Sequence, residues 1–320
     1  MKLHVNPVLE REMKERVRGV RAVVMLTAFL ALLALIVQIV YWSQTRQTVN
    51  NPFASPQSLS SARTGQMLFD ILVFAIVVLL CFIVPGMAAA SIAGERDRQT
   101  LVPLQVTLLR PSSILFGKLS ASLAYLLLLV VAAAPFLAIS FVFGGVTIGA
   151  VMKAIVAIVF VAAVLGSISV FCSVVFRRVQ SATVAAQFLV FALLLGSPIV
   201  YGVQRVVFTR VSASSTSVRD NKAVLMLNPV VLVADFVHSS SSSDGSAPLR
   251  AIKRSLNSGG SGLPNGLVVG PNGFVQNGGG SNRTIPFWLW CAVVQGALGG
   301  LAFWAATRRL RTPSMRSVDR

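Results

Sequence analysis

Cysteine and histidine are the side chains most able to hold a metal or attack a substrate, and this chain has few of them. Its three cysteines, Cys81, Cys172 and Cys291, all lie inside apolar runs, and its two histidines are far apart. They read as small buried hydrophobes, so neither a disulfide framework nor a zinc site is expected. Phosphate chemistry would need glycines whose backbone amides cradle the anion, followed by Lys and Ser or Thr. The nearest approach, Ser112-Ser113-Ile114-Leu115-Phe116-Gly117-Lys118-Leu119, has serine for the first glycine and leucine after the lysine, and it runs into an apolar stretch. Lys118 therefore reads as an anchor at the cytoplasmic membrane surface. Asp70 is the exception to a near absence of ionisable groups within the apolar runs. A carboxylate at mid-bilayer costs ~3 kcal/mol, so Asp70 sits either at the outer interface or where it faces a substrate. The chain is not expected to be an enzyme or to carry a cofactor, and the Asn282-Arg283-Thr284 sequon reads as chance.

The elements that would position these residues are membrane spans. The chain has 320 residues, of which 55% are apolar and only 12% charged, and its mean hydropathy is +0.76. These values exclude a soluble globular protein. A net charge of +18 would suggest nucleic acid as the partner of a soluble protein, whereas here a membrane accounts for it and no nucleic acid is expected. About 20 apolar residues cross the ~30 Å of hydrocarbon. Six stretches qualify: Ala22 to Trp42, Met67 to Ala93, Leu119 to Phe143, Ala154 to Phe176, Ser181 to Val203 and Pro286 to Thr307. The fold class is all-α integral membrane.

Orientation follows from the short connections. Residues 1–21, 94–118, 177–180 and 308–320 together hold 17 Lys and Arg, whereas 43–66 and 144–153 hold only Arg46, Arg63 and Lys153. Both termini are therefore expected in the cytoplasm. Tyr41, Trp42, Tyr201, Trp288 and Trp290 then fall at outer ends, where amphipathic rings favour the headgroup layer. Pro85-Gly86, Pro135, and Gly196 with Pro198 interrupt three spans and are candidate gating positions. Gly296 and Gly300 have the GxxxG spacing that permits close helix approach.

Outside the spans, Val5 to Val20 reads as an amphipathic interfacial helix with Asn6 at its N-cap. Between the second and third spans, Gly94-Glu95-Arg96-Asp97-Arg98-Gln99 leads into a short helix with Leu101, Leu104 and Leu108 on one stripe. Its pattern alone suits the membrane surface and a groove on a partner protein equally. Residues 223–237 are too short to cross and read as a broken helix at the outer surface. The Ser, Gly and Asn runs from Ser239 onward read as a flexible linker.

Taken in order, these features resemble the six-span permease subunits of type 2 ATP-binding-cassette exporters. Asn6-Pro7-Val8-Leu9 with Arg11-Glu12 is similar to the family's elbow helix, and Glu95-Arg96, Thr100-Leu101, Val106-Thr107 and Gly117-Lys118 to its cytoplasmic signature. Pro135 followed by Gly144-Gly145-Val146, Ser173 with Arg177-Arg178, and Asn228-Pro229 continue the match. Gln99, Val102 and Leu108 depart from it, where glycine, an acidic residue and proline are usual.

The resemblance implies an elbow helix over 1–21, five spans over 22–203 with a coupling helix at 95–110, an outer loop over 204–285, and a sixth span with a basic tail over 286–320. It also implies that Glu95, Arg96, Thr100, Leu101, Leu104 and Leu108 couple to a separate nucleotide-binding ATPase, which holds the ATP-Mg. The permease would export its substrate across a bacterial plasma membrane, as a homodimer or paired with a related permease, in contact with membrane lipid. The alternatives are an ion-coupled secondary transporter, disfavoured by the lack of deep charges, and a membrane scaffold without transport.

Overall fold

The structure is a computed structural model that describes residues 20–50, 61–97, 111–211, 222–237, 249, 267–269, 275–277 and 286–311. The elbow segment 1–19 and residues 98–110, which include Thr100, Leu101, Leu104 and Leu108, lie outside the described residues. So does most of the Ser- and Gly-rich region.

In hydrocarbon every backbone N–H and C=O must find its partner within the protein, which drives apolar runs of this length into helices. The described helices are α1 (Val20–Asn50), α2 (Ser61–Asp97), α3 (Pro111–Val142), α4 (Ile148–Val175), α5 (Val179–Phe191), α6 (Ser197–Val211), α7 (Pro229–Val237) and α8 (Phe287–Arg311). A π-helical turn, Ala192–Gly196, joins α5 to α6 so that together they make one span. Six helical spans are long and apolar enough to cross a membrane, in agreement with the six stretches expected. The fold is all-α, apart from a short antiparallel ribbon pairing Leu267–Val269 with Val275–Asn277.

Local signals set the helix starts. Thr147 caps α4 by accepting from Ala150 N, and Pro111 and Pro229 occupy first helical positions, where a missing N–H is harmless. Between α3 and α4 the chain turns at Gly144 and Gly145, both at positive φ. A Cβ on Gly145 would strike Ala62 O at the start of α2, so the turn accepts only glycine there. Gln66 Nε2 donates to Gly145 O at 2.8 Å and fastens that end.

α2 and α4 form the centre, and α4 packs against α2, α3, α5, α7 and α8. Leu72, Ile76, Leu80, Leu129, Ile158 and Leu165 fill the core between them. Outward faces carry exposed large apolar side chains such as Val131, Phe188 and Leu301, as lipid-facing helices do. The close approach of α8 to α4 uses Gly296 and Gly299, whose absent side chains leave room for Phe160 and Val164. Gly300 faces open space, so the close pair has i, i+3 spacing and the expected GxxxG pairing is corrected.

Residues 222–237 form a 3₁₀ turn, Lys222–Leu227, followed by α7. The break is as expected, but α7 is buried and does not lie on a surface. Pro229, Val230, Val231, Leu232, Val233, Ala234 and Val237 are all enclosed by the bundle. Seven of its nine residues are apolar and buried and Asp235 is its one charge, so little of the helix could face water, and that accounts for its position.

Candidate functional site: the basic end of the bundle

The end of α2 is the root of the 98–110 segment, and three other helices converge on it. Lys118, two turns into α3, extends to α2, where Nζ lies 2.8 Å from Glu95 Oε1 and donates to Ser91 O at 3.1 Å. Lys118 is 2% exposed and Glu95 24%. The expectation that Lys118 is a surface anchor is therefore corrected. A buried ammonium needs a counter-charge and filled hydrogen bonds, and Glu95 and Ser91 supply them.

Ser173, near the end of α4, accepts hydrogen bonds at Oγ from Ile92 N (3.0 Å) and Ala93 N (2.9 Å) of α2. One turn on, Arg96 Nη1 donates to Phe176 O at 3.2 Å, meeting a carbonyl at the C-cap of α4. Cations suit that end of a helix because the last carbonyls carry partial negative charge. Asp97 does the converse. Its Oδ2 accepts from Val179 N, the first residue of α5, at 3.3 Å. The N-cap of α5 is Arg178, whose side chain makes no capping bond, so the carboxylate of a different helix serves there.

Thus the last two turns of α2, from Ser91 to Asp97, are tied to α3, α4 and the start of α5. The arrangement makes the end of α2 rigid with respect to three spans. Arg177, Arg178, Arg308 and Arg309 lie at the same end of the bundle, with Arg308 stacked 3.8 Å from the Trp304 ring centroid and Arg309 5.9 Å from that of Phe171.

The other candidate residues lie apart from this cluster. Asp70 is in the early part of α2 and is 0% exposed, so it is enclosed by protein, not resting at an interface with water. Pro85 and Gly86 lie in mid-α2, and Pro135 in α3. Pro198 is the second residue after the π turn. A narrow apolar recess beside that turn is lined by Val161, Leu165, Leu193, Pro229, Gln295 and Leu298, among others.

Sequence reasoning missed the roles of Ser91, Asp97 and Ser173. In the sequence Ser173 and Lys118 are separate pieces of an ordered pattern, and the structure shows that they converge on one end of α2. Comparison with protein families finds a match over residues 7–263 to the family described as ABC-2 family transporter protein. No curated protein matches the chain. The matched range begins before the first span and covers the fastened end of α2 together with α3, α4, α5, α6 and α7. By that match and its six apolar spans, the chain belongs to the ABC-2 transporter family, as a multi-pass membrane permease of the kind that works with a separate ATPase subunit.

Proposed function

We propose that this permease exports its substrate when two separate nucleotide-binding subunits, holding ATP-Mg, dock on the basic end and drive it. It does so as a homodimer or with a related permease, in a bacterial plasma membrane with both termini in the cytoplasm. Residues 98–110 carry the docking helix. Leu101, Leu104 and Leu108 enter a groove on the ATPase, Thr100 opens the helix, and Glu95 and Arg96 hold its root. Pro85 with Gly86, Pro135 and Pro198 are the positions at which the spans bend as access alternates.

The observation that carries this reading is the fastening of α2 just before the docking segment. A push on the end of α2 reaches α3 through Lys118, α4 through Ser173 and Phe176, and α5 through Val179. Such linkage is of no use to a passive scaffold.

The test is recovery of the partner ATPase with the purified chain. Burying a leucine contributes ~1.5 to 3 kcal/mol, and Leu104→Asp removes that and adds a charge to desolvate. A loss of ~2 kcal/mol lowers affinity roughly thirtyfold. Leu263→Asp, in the Gly-rich stretch, should bind as wild type does. Equal recovery of all three would reject docking by this helix.

A second reading, ion-coupled transport, is favoured by the burial of Asp70. Transport that follows a proton gradient without ATP, and is lost in Asp70→Asn, would establish it over export by ATP.

A further inference from the structure

A proline inside a helix leaves the carbonyl four residues earlier without its usual N–H donor. Pro198, just beyond the π turn, has no N–H to give Leu194 O. The donor comes instead from outside the span: Asn228 Nδ2 donates to Leu194 O at 2.9 Å and to Ser197 Oγ at 2.9 Å. Ser197 in turn donates to Leu193 O at 2.8 Å, so its hydroxyl proton is engaged and its oxygen must accept from Asn228. On the other side of the amide, Asn228 Oδ1 accepts from Val230 N at 2.9 Å and caps α7. These partners fix which way the amide points. Asn228 is itself held by Gln295 of α8, whose Nε2 donates to Asn228 O at 2.9 Å and Met226 O at 3.0 Å. Asn228, Ser197 and Gln295 are all buried, so water does not substitute for any of these bonds.

The same device occurs at a second proline. Pro85 deprives Cys81 O of its donor, and Gln187 of α5 donates to that carbonyl at 3.3 Å. Two spans interrupted by proline are thus held at a backbone carbonyl by an amide side chain from a neighbouring element.

We propose that Asn228 is a positioning residue for transport: its amide replaces, at Leu194 O, the donor that Pro198 lacks, and so locks the break in the fifth span to the buried 222–237 segment. The span bends at the π turn only when that segment moves with it. This does not depend on which partner drives the basic end.

The test uses spin labels on the full chain, with Cys81, Cys172 and Cys291 replaced by alanine. Labels go at Val184 and Val203, both exposed and on opposite sides of the break. Roughly nineteen residues of helix separate them by about 28 Å. The parent chain should give one narrow distance distribution. Asn228→Ala should broaden it at least about twofold, and Pro198→Ala added to Asn228→Ala should narrow it again, because alanine in place of the proline restores the backbone donor. General loosening of the bundle would not be cured by removing a proline, and the lost cap on Val230 N remains in both variants. A distribution as narrow as the parent's in Asn228→Ala, or as broad in the double variant as in the single one, would overturn the proposal. If Asn228→Ala does not fold, the double variant must fold and be narrow; failure of both overturns it equally.

Discussion

Two buried polar clusters hold this bundle together, and they are built from different chemistry. At the basic end Lys118 and Glu95 meet as opposite charges, with Glu95 partly open to water. At the break in the fifth span, about 23 Å along from the start of α5, the groups are neutral: Asn228, Gln295 and Ser197. The difference follows the cost of desolvation. An ion pair survives where one partner still reaches water and the geometry is good, whereas deep in the bundle amides meet orphaned carbonyls without the penalty of full charge. Each cluster suits a different task. On the proposed function, the charged one transmits force where the ATPase would dock, and the neutral one holds the break inside the span.

The contrast predicts unequal responses to deletion. Lys118→Met should have the largest effect, because it takes the ammonium away from Glu95; breaking a buried pair costs ~3 to 5 kcal/mol. Neutralising both, with Lys118→Met and Glu95→Gln, should return most of that stability. Denaturant unfolding in detergent reads both values, and a double variant no better than the single one would mean that the pair is held by more than its charges.

Ser173→Ala comes next. It removes the oxygen that accepts from Ile92 N and Ala93 N, two bonds that together contribute ~1 to 3 kcal/mol. The loss should appear in the same unfolding experiment, with faster amide exchange confined to residues 88–97.

Gln295→Leu should cost least, about 1 to 2 kcal/mol: it removes two neutral bonds, to Met226 O and Asn228 O, and Asn228 O retains its bond from Leu232 N. A loss as large as that for Lys118→Met would erase the distinction between the clusters.

Much of the fold was legible in the sequence, since uninterrupted apolar runs define spans whatever their tertiary contacts. The six stretches match the helices observed, although α1 continues to Asn50 and α2 to Asp97. What could not be read was which side chains meet. Lys118 precedes an apolar run and looks like an anchor; only the packing of α2 against α3 brings Glu95, far back in the chain, onto it. Residues 229–237 carried a signal that length obscured: a segment too short to cross but apolar at every position except Asp235 belongs inside the bundle. Pro198 and Asn228-Pro229 were each visible, but their pairing depends on a chain reversal that no local pattern encodes.

On the proposed function, the fastened end of α2 transmits the ATPase's motion to the spans. The direct measurement places spin labels at Val142 and Val203, exposed positions at the end of α3 and midway along α6, both away from the basic cluster, in the complex with its ATPase. Distances are compared without nucleotide and with ATP and vanadate, for the parent chain and for the Lys118→Met, Glu95→Gln double variant. The parent distance should change with nucleotide; compared at matched ATPase occupancy, the double variant's distance should stay at the nucleotide-free value. A double variant whose distance moves as the parent's does would contradict transmission through this cluster.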